Sequence, residues 1–353
     1  MKILVINPGA TSTKVAVYED ERPLFVDVIR HKPEELDGFE NTYDQHAFRS
    51  ETIRGCMEKH GIGFGELDAV VGRGGPFKPL VSGTYRVNPA MKADVKLGNV
   101  QADHISNIGC LLADEVAAPY GIPAFIVDPV SVDEFDPEAY VSGMKELPRI
   151  SLSHALNIKM IAKRYAHEIG RRYEDLNLVV AHLGGGISIT SHRKGRMIDV
   201  SNANDGGPFS PQRCGTLPVT GLVKLCFSGK YSEKEVLGKI IKKGGLLDLI
   251  GIDDLIELVG RIDSDAEAAS VFKAFVYHIS KEIGAYAAVL KGEVDAILLT
   301  GGIAFCEPVM NGVADYISWI APVKVYPGED EMEGLALGAL RVLRGEEEEK
   351  EYK

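Results

Sequence analysis

The sequence predicts an α/β protein built of two similar domains that face one another across a cleft. Strand-like and helix-like segments alternate along the chain. Its 353 residues are long for a single hydrophobic core. Two pairs of segments also resemble each other in the same order: ILVINPGATSTKVAV with LVVAHLGGGISIT, and DAVVGRGG with DAILLTGG. Two such likenesses in register point to a duplicated unit, with its seam between Asp128 and Leu178. Facing domains would gather the four glycine-rich turns around one cleft.

Taken in order, residues 3–7, 13–18 and 23–29 read as strands joined by short turns. Residues 42–60 read as a helix that Asn41 caps and Gly61 stops. DAVVGR, residues 68–73, is a strand; a helix follows near 107–118 and a strand at 124–128. A helix is expected over 151–169, beginning at Ser151. LVVAHL (178–183), ISITSH (187–192) and GRMIDV (195–200) form a meander. Ser232 and Glu235 have capping-box spacing ahead of LGKIIKKGG. The stretch 265–291 carries Val271, Phe275, Ile279 and Ile283 at helical spacing, and apolar helices of this kind can supply a subunit interface. Residues 294–299 form a strand and 331–344 a last helix. The tail GEEEEKEYK reads as a solvated, fraying charge run.

Composition narrows the function. Hydrophobic residues make up 45% and charged residues 25%, ordinary for a soluble globular chain. The formal net charge of −12 argues against a nucleic-acid binder, whose affinity rests on neutralising phosphates with Lys and Arg. The five cysteines are scattered, odd in number and without C-x-x-C or metal-ligand spacing, so they read as reduced and cytoplasmic. MKILVIN reads as a strand rather than a signal peptide, and no apolar run is long enough to span a bilayer.

Chemistry is concentrated at the turns. In VINPGATSTKVAV, Gly9 lets the backbone approach a ligand and permits a positive φ. Ser12 and Lys14 can donate to phosphate oxygens beside an anion-binding concavity of backbone N–H groups. The same residues also suit a plain hairpin turn, and no Walker pattern exists here. HLGGGIS, residues 182–188, is the stronger element: Gly184, Gly185 and Gly186 weaken two strands for no packing benefit, which a close backbone–ligand approach explains. His182 at that strand end can donate to a phosphoryl oxygen, or be a satisfied core histidine. The absence of G-x-G-x-x-G rejects a nicotinamide enzyme. TGGI, with Gly301, Gly302 and Ile303, could sit under a nucleotide. Arg73 and Arg213 each lie in a Gly/Pro turn, where a guanidinium can hold a carboxylate or phosphate. His104 in ADHISN is a further candidate. Asp128 closes an apolar strand, a place for a metal-facing carboxylate or for a turn cap.

With these residues in view, the chain resembles the acetate and butyrate kinases, the butyrate kinases above all, within the actin, sugar-kinase and heat-shock ATPase superfamily. The matching blocks run nearly end to end: VINPGATSTKVAVYE, GRGGPF, ADHISNIG, FIVDPV, ISLSHALN, VVAHLGGGISI, GGPFSPQRCGTLP, LLTGGIA and VYPGEDEMEGLALGALRVL. The resemblance implies two ribonuclease-H-like (actin-like ATPase) domains. One is an acyl-substrate and phosphate domain, 1–149 with the C-terminal helix 333–353. The other is a nucleotide-binding domain, 150–332. It implies a direct, in-line, reversible transfer of the ATP γ-phosphoryl group to a short-chain carboxylate, with Mg²⁺, in a homo-oligomer of two subunits or more. On this resemblance Asn7, Ser12 and Lys14 lie in the first phosphate turn. Arg73 and Arg213 flank the transferred group and the substrate carboxylate, and His182 stabilises the phosphoryl oxygens. Asp128 and Glu331 hold Mg²⁺ directly or through water. Gly184 to Gly186 and Gly301 to Ile303 contact the nucleotide. His104 and His154 match family histidines.

The chain departs from the acetate kinases in places. Ala10 replaces a hydroxyl in the first turn, and only His154 remains of two histidines in its block. The tract from Asp199 to Arg213 is shorter, and no adenosine-contacting residue can be aligned near 250–265. Gly74 and Gly75 replace bulky residues after the matching arginine. This reading gives them an enlarged acyl pocket and a preference for butyrate-sized or branched acids, at about 0.8 kcal/mol per buried methylene. The alternatives are an acetate or propionate kinase, a sugar kinase of the same superfamily, and an actin-like or chaperone ATPase. A sugar kinase wants a carboxylate base rather than arginines at the acceptor. A chaperone or actin-like ATPase usually carries insertions for which 353 residues leave no room.

Overall fold

The computed structural model describes all 353 residues, Met1–Lys353. In chain order the strands are β1 Lys2–Gly9, β2 Ser12–Glu19, β3 Arg22–Arg30, β4 Ala69–Arg73, β5 Thr84–Arg86, β6 Ala124–Val127, β7 Asn177–Leu183, β8 Ile187–Arg193, β9 Arg196–Val200, β10 Ala296–Gly301, β11 Val323–Pro327 and β12 Lys350–Glu351. The helices before residue 200 are α1 Pro33–Leu36, α2 His46–Lys59, α3 Pro89–Leu97, α4 Gly109–Ala117 and α5 Ala155–Glu168. Those after it are α6 Val219–Cys226, α7 Glu233–Ile241, α8 Leu246–Ile250, α9 Leu255–Arg261, α10 Ala266–Val289, α11 Glu307–Ile317 and α12 Glu331–Leu343.

Packing divides the chain into two units. The first holds Met1–Asp133, Ala155–Asn157 and Asp330–Lys353; the second holds Glu134–His154 and Ile158–Glu329. The first boundary thus falls at Asp133, ahead of the expected 149, and the last at Asp330, close to the expected 333.

The first unit is a seven-stranded sheet in the order β12-β5-β6-β4-β1-β2-β3. Strand β1 pairs antiparallel with β2 and parallel with β4, which pairs parallel with β6. Residues Ile3–Ile6 of β1 are fully buried because both sheet faces are covered. Leu4 and Ile6 join a core with Ile53, Met57 and Leu112, while Ile3 and Val5 join one with Leu335, Ala336 and Ala339 of α12. The second unit repeats the plan in the order β11-β10-β7-β8-β9. The five strands β3-β2-β1-β4-β6 and β9-β8-β7-β10-β11 follow one succession and one set of directions. The paired segments seen in the sequence occupy equivalent strands, β1 with β7 and β4 with β10.

Local signals explain most of the elements. Ser232 and Glu235 close the capping box of α7. Asp265 accepts from the N–H groups of Glu267 and Ala268 to start α10. The 42–60 helix enters as a tight turn at Tyr43–Gln45, where the Asn41 side chain accepts from the Asp44 N–H, and Gly61 at φ +65° ends it.

Three expectations are corrected. Helix α5 begins at Ala155, not Ser151: Ser151 and Ser153 are buried in non-helical backbone that carries His154 to Ser188. The apolar stripe of the 265–291 helix faces the core and not a subunit interface: Phe275, Ile279 and Ile283 pack against Val179, Ile189 and Leu299. The charged tail is docked. Strand β12 pairs with β5, and Tyr352, 1% exposed, donates its hydroxyl to Asp94 and stands edge-on to Phe77.

Candidate functional site

Strand ends set out the site in the first unit. Parallel register places Ile6 beside Gly72 and Arg73 beside Val127. Asn7, Arg73 and Asp128 therefore emerge together at the carboxyl ends of β1, β4 and β6, where open α/β sheets bind ligands. Glu331, at the start of α12, ties two of them: its Oε2 accepts from Asn7 Nδ2 at 2.9 Å and its Oε1 lies 2.8 Å from Arg73 Nη2. Lys14 stands directly across the hairpin from Asn7, and Ser12 across from Gly9. The hairpin is braced by a residue that no motif announced. Arg49, fully buried, donates to the Ser12 carbonyl and the Thr13 hydroxyl, and burial pushes its guanidinium down to about 10.

Asp128 adopts a left-handed φ of +38°, a conformation that Asp takes more readily than most residues with a side chain. Its Oδ1 accepts from the Ser82 hydroxyl at 2.7 Å and from the Gly83 N–H at 2.8 Å. One carboxylate oxygen thus serves the turn. His104 is exposed, and its Nδ1 accepts from the Ser106 N–H to start a tight turn at Ile105–Ile108.

Two glycine expectations are corrected. Gly9 is not in the positive-φ region, and a Cβ there would meet the Ser12 hydroxyl at 3.4 Å, so the hairpin does not require glycine for its backbone angle. Gly74 and Gly75 do not open a void. A Cβ at Gly74 would lie 2.6 Å from Ile126 and Pro129, and one at Gly75 2.0 Å from Asn107 Oδ1. These glycines admit close packing, and the space is filled by neighbouring atoms.

In the second unit His182 is the penultimate residue of β7, opposite Ser188 of β8 and Thr300 of β10. By the internal repeat, His182 and Thr300 stand where Asn7 and Arg73 stand in the first unit. The His182 ring is 1% exposed and stacks on His154, with centroids 3.9 Å apart and planes within 8°. His154 Nδ1 lies 3.0 Å from the Ser188 hydroxyl, and His182 Nε2 lies 3.2 Å from Glu329 Oε1. The three glycines have separate uses. Gly184 faces Glu329 and His182, Gly185 is exposed, and Gly186 lets the Arg213 guanidinium lie against it, 2.7 Å from where a Cβ would stand. Ser210 accepts from the Arg213 N–H and donates to the Gly185 carbonyl, while Arg213 Nη1 donates to Asn204. Burial lowers the Arg213 guanidinium from its ordinary value. Gly301 needs its glycine, with φ +92° and the Leu183 carbonyl 2.3 Å from the position of a Cβ.

A groove of about 840 Å³ in this unit gathers Gly184, Gly185, Gly302 and Ile303 with Glu329. Asp253, Asp254, Leu255, Ile256 and Val259, with Phe305, complete it. The 253–259 residues come from the segment that could not be aligned; of their apolar chains Ile256 is exposed while Leu255 and Leu258 are buried. Gly186 and Gly301 do not line the groove; they brace it, under Arg213 and Leu183. A second cavity of about 700 Å³, bounded by Arg149, Asp205, Glu282 and Tyr286 among others, contains none of the expected site residues.

One donor cluster escaped the sequence reading. Cys56 and His60, one helical turn apart, reach Asp27 of β3. Lys59 and His60 already satisfy the Asp27 carboxylate, at 2.8 and 3.1 Å, and burial with Asp27 alongside pushes the Cys56 thiol up to about 11. With that carboxylate already held by Lys59 and His60, this cluster reads as an anchor for the end of α2.

Comparison with known proteins shows the family and the fold. Residues 149–313 match the Acetokinase family. Butyrate kinase 1 of Clostridium acetobutylicum is 50% identical over 354 aligned positions, spanning 100% of this chain and 99% of the relative. A probable butyrate kinase of Clostridium botulinum is 50% identical over 353, spanning 99% of each. Among solved structures, Porphyromonas gingivalis acetate kinase superposes with a TM-score of 0.80 at 21% identity, covering 97% of this chain and 99% of that one, which establishes a shared fold. The chain belongs to the acetokinase family.

Proposed function

We propose that this protein transfers the γ-phosphoryl group of ATP reversibly to butyrate or a branched acid of similar size, giving an acyl phosphate and ADP. The observation that carries this reading is the 50% identity, end to end, with proteins named butyrate kinases. The strand-end chemistry is consistent with it. Direct transfer asks for positioning and charge neutralisation rather than a protein nucleophile. Arg73 and Arg213 serve the carboxylate and the phosphoryl group. Lys14, Ser12 and Asn7 serve the first phosphate turn, and His182 meets charge that develops on the phosphoryl oxygens. Gly184, Gly185, Gly302 and Ile303, with the 253–259 segment, take the nucleotide.

Mg²⁺ fits the donor set, since Asp128 and Glu331 are hard oxygen ligands and Mg²⁺ keeps most of its waters. Glu331 has both oxygens engaged by Asn7 and Arg73, and Asp128 has one engaged by Ser82 and Gly83. Glu331 would therefore reach the ion through water, while Asp128 keeps one oxygen for it. When bound with ATP, the ion neutralises phosphate charge. No helix is long and apolar enough to cross a membrane, and a cytoplasmic enzyme is proposed.

A homo-oligomer is proposed through α6 and its following loop. No residue of α6 is buried, and Val219, Val223 and Phe227 are all exposed, Phe227 at 87%.

A hydroxamate assay for acyl phosphate across acetate, propionate, butyrate and isobutyrate tests the reaction. The expected order places kcat/KM highest for a four-carbon acid, with neighbours tolerated because a pocket discriminates poorly against one fewer carbon. Highest kcat/KM with acetate would defeat the acyl preference. Absence of hydroxamate with every acid would defeat the kinase reading, and turnover of a sugar instead would favour the alternative within the superfamily.

A further inference from the structure

We infer that Glu329 is a positioning residue for His182, its carboxylate keeping the imidazole proton on Nε2, the ring nitrogen that faces it. The inference rests on the kinase reading above and extends it to a residue outside the expected set.

Three contacts fix the pair. Glu329 Oε1 lies 3.2 Å from His182 Nε2. The ring is held flat against His154, which Ser188 pins in turn through His154 Nδ1. A Cβ at Gly184 would stand 3.2 Å from Glu329 Oε1 and 3.3 Å from His182 Nε2, so glycine at this position is what lets carboxylate and ring meet. The carboxylate is itself placed by the end of β11. Gly328, at φ +105°, exchanges two backbone hydrogen bonds of 3.1 Å with Gly301, and Thr300 donates to the Gly328 carbonyl. Glu329 is the next residue. Gly184 and Glu329 both line the groove, and Nε2 is the ring nitrogen that lies beside both of them.

A neutral imidazole carries one proton, and the partner of its ring nitrogens decides where that proton sits. A ring that swaps tautomers, or turns over about its broad terminal torsion, offers a lone pair to an anionic phosphoryl oxygen. Glu329 removes both alternatives, because a carboxylate only accepts. Its side chain is 38% exposed, so it can yield the Nε2–H to an incoming phosphoryl oxygen and recover it after release.

The test uses the full chain carrying Glu329→Ala or Glu329→Gln, each checked for unchanged thermal unfolding, with acyl phosphate formation as readout. Glu329→Ala should lower kcat by about tenfold or more, while KM for nucleotide and acid stays within about twofold. Glu329→Gln, which keeps an accepting oxygen beside Nε2, should recover most of the loss. On a His182→Ala background the Glu329→Ala loss should vanish, since the carboxylate acts through the ring. Long-range ¹H–¹⁵N correlation spectra should show the His182 proton on Nε2 in the parent and both tautomers in Glu329→Ala. Unchanged kcat, a loss confined to KM, a loss persisting without His182, or an unaltered tautomer would each overturn the inference. If the parent forms no acyl phosphate, the kinase reading fails by itself, and the spectra still decide the Glu329–His182 link.

Discussion

Arg73 joins a catalytic expectation to a structural debt. Its guanidinium holds one oxygen of Glu331, a carboxylate buried at the start of α12, while Asn7 holds the other. Arg73→Ala should therefore cut turnover by about two to three orders of magnitude. It should also cost about 1–3 kcal/mol of stability, because one buried carboxylate oxygen loses its partner. Hydroxamate kinetics and urea unfolding read the two effects separately; full turnover would remove Arg73 from the site. His192 supplies a second prediction at this scale. It is fully buried, bonded to Tyr173 and Thr190, and burial with Lys159 nearby holds its pKa well below the ordinary 6.5. The unfolded chain takes up a proton below pH 6.5 that the folded chain refuses. Stability is thus fully present above 6.5 and falls as pH drops below it, by up to about 1.4 kcal/mol per pH unit for this one group. Urea midpoints at pH 7.5 and 5.5 should show the fall, and His192→Gln should flatten it; an equal slope in the variant would assign the effect to other groups.

Among the elements, β12 departs furthest from its sequence pattern. A run of glutamates and lysines promises solvent, yet Tyr352 fills the core beside Phe77 and Asn88 donates to its carbonyl. Deleting Lys350–Lys353 should cost about 3 kcal/mol or more, as for loss of a buried aromatic. Tyr352→Phe should lose about 1–2 kcal/mol with the hydrogen bond to Asp94. Unchanged urea midpoints would return the tail to solvent. Helix α10 shows the opposite relation. Its apolar stripe was legible, and only the partner of that stripe was misjudged, because a periodic apolar face announces burial without saying what buries it. Gly74 and Gly75 teach the same lesson: missing side chains signal proximity, and whether a ligand or Asn107 takes the space depends on contacts far along the chain.

At the scale of the whole molecule, oligomerisation is the open property with a visible surface. Phe227→Glu should lower the sedimentation mass if α6 docks a second copy, since a charge would have to be buried at the contact; a parent that already sediments as a monomer would refute the proposed oligomer. The duplication was readable because it rests on local features: two apolar strands, each ending in a glycine-rich turn, recurring in order. Alternation, capping and turn chemistry are set by neighbours in the chain, so the sequence alone determined the α/β class, most elements and the strand-end residues Asn7, Arg73, Asp128 and His182. Register and packing decided the rest. They tied Glu331 to Asn7 and Arg73 across more than two hundred and fifty residues, placed Arg49 beneath the first turn, brought the 253–259 segment into the groove and set Glu329 on His182. Such pairings come from chain closure over long separations, and no local spacing carries them.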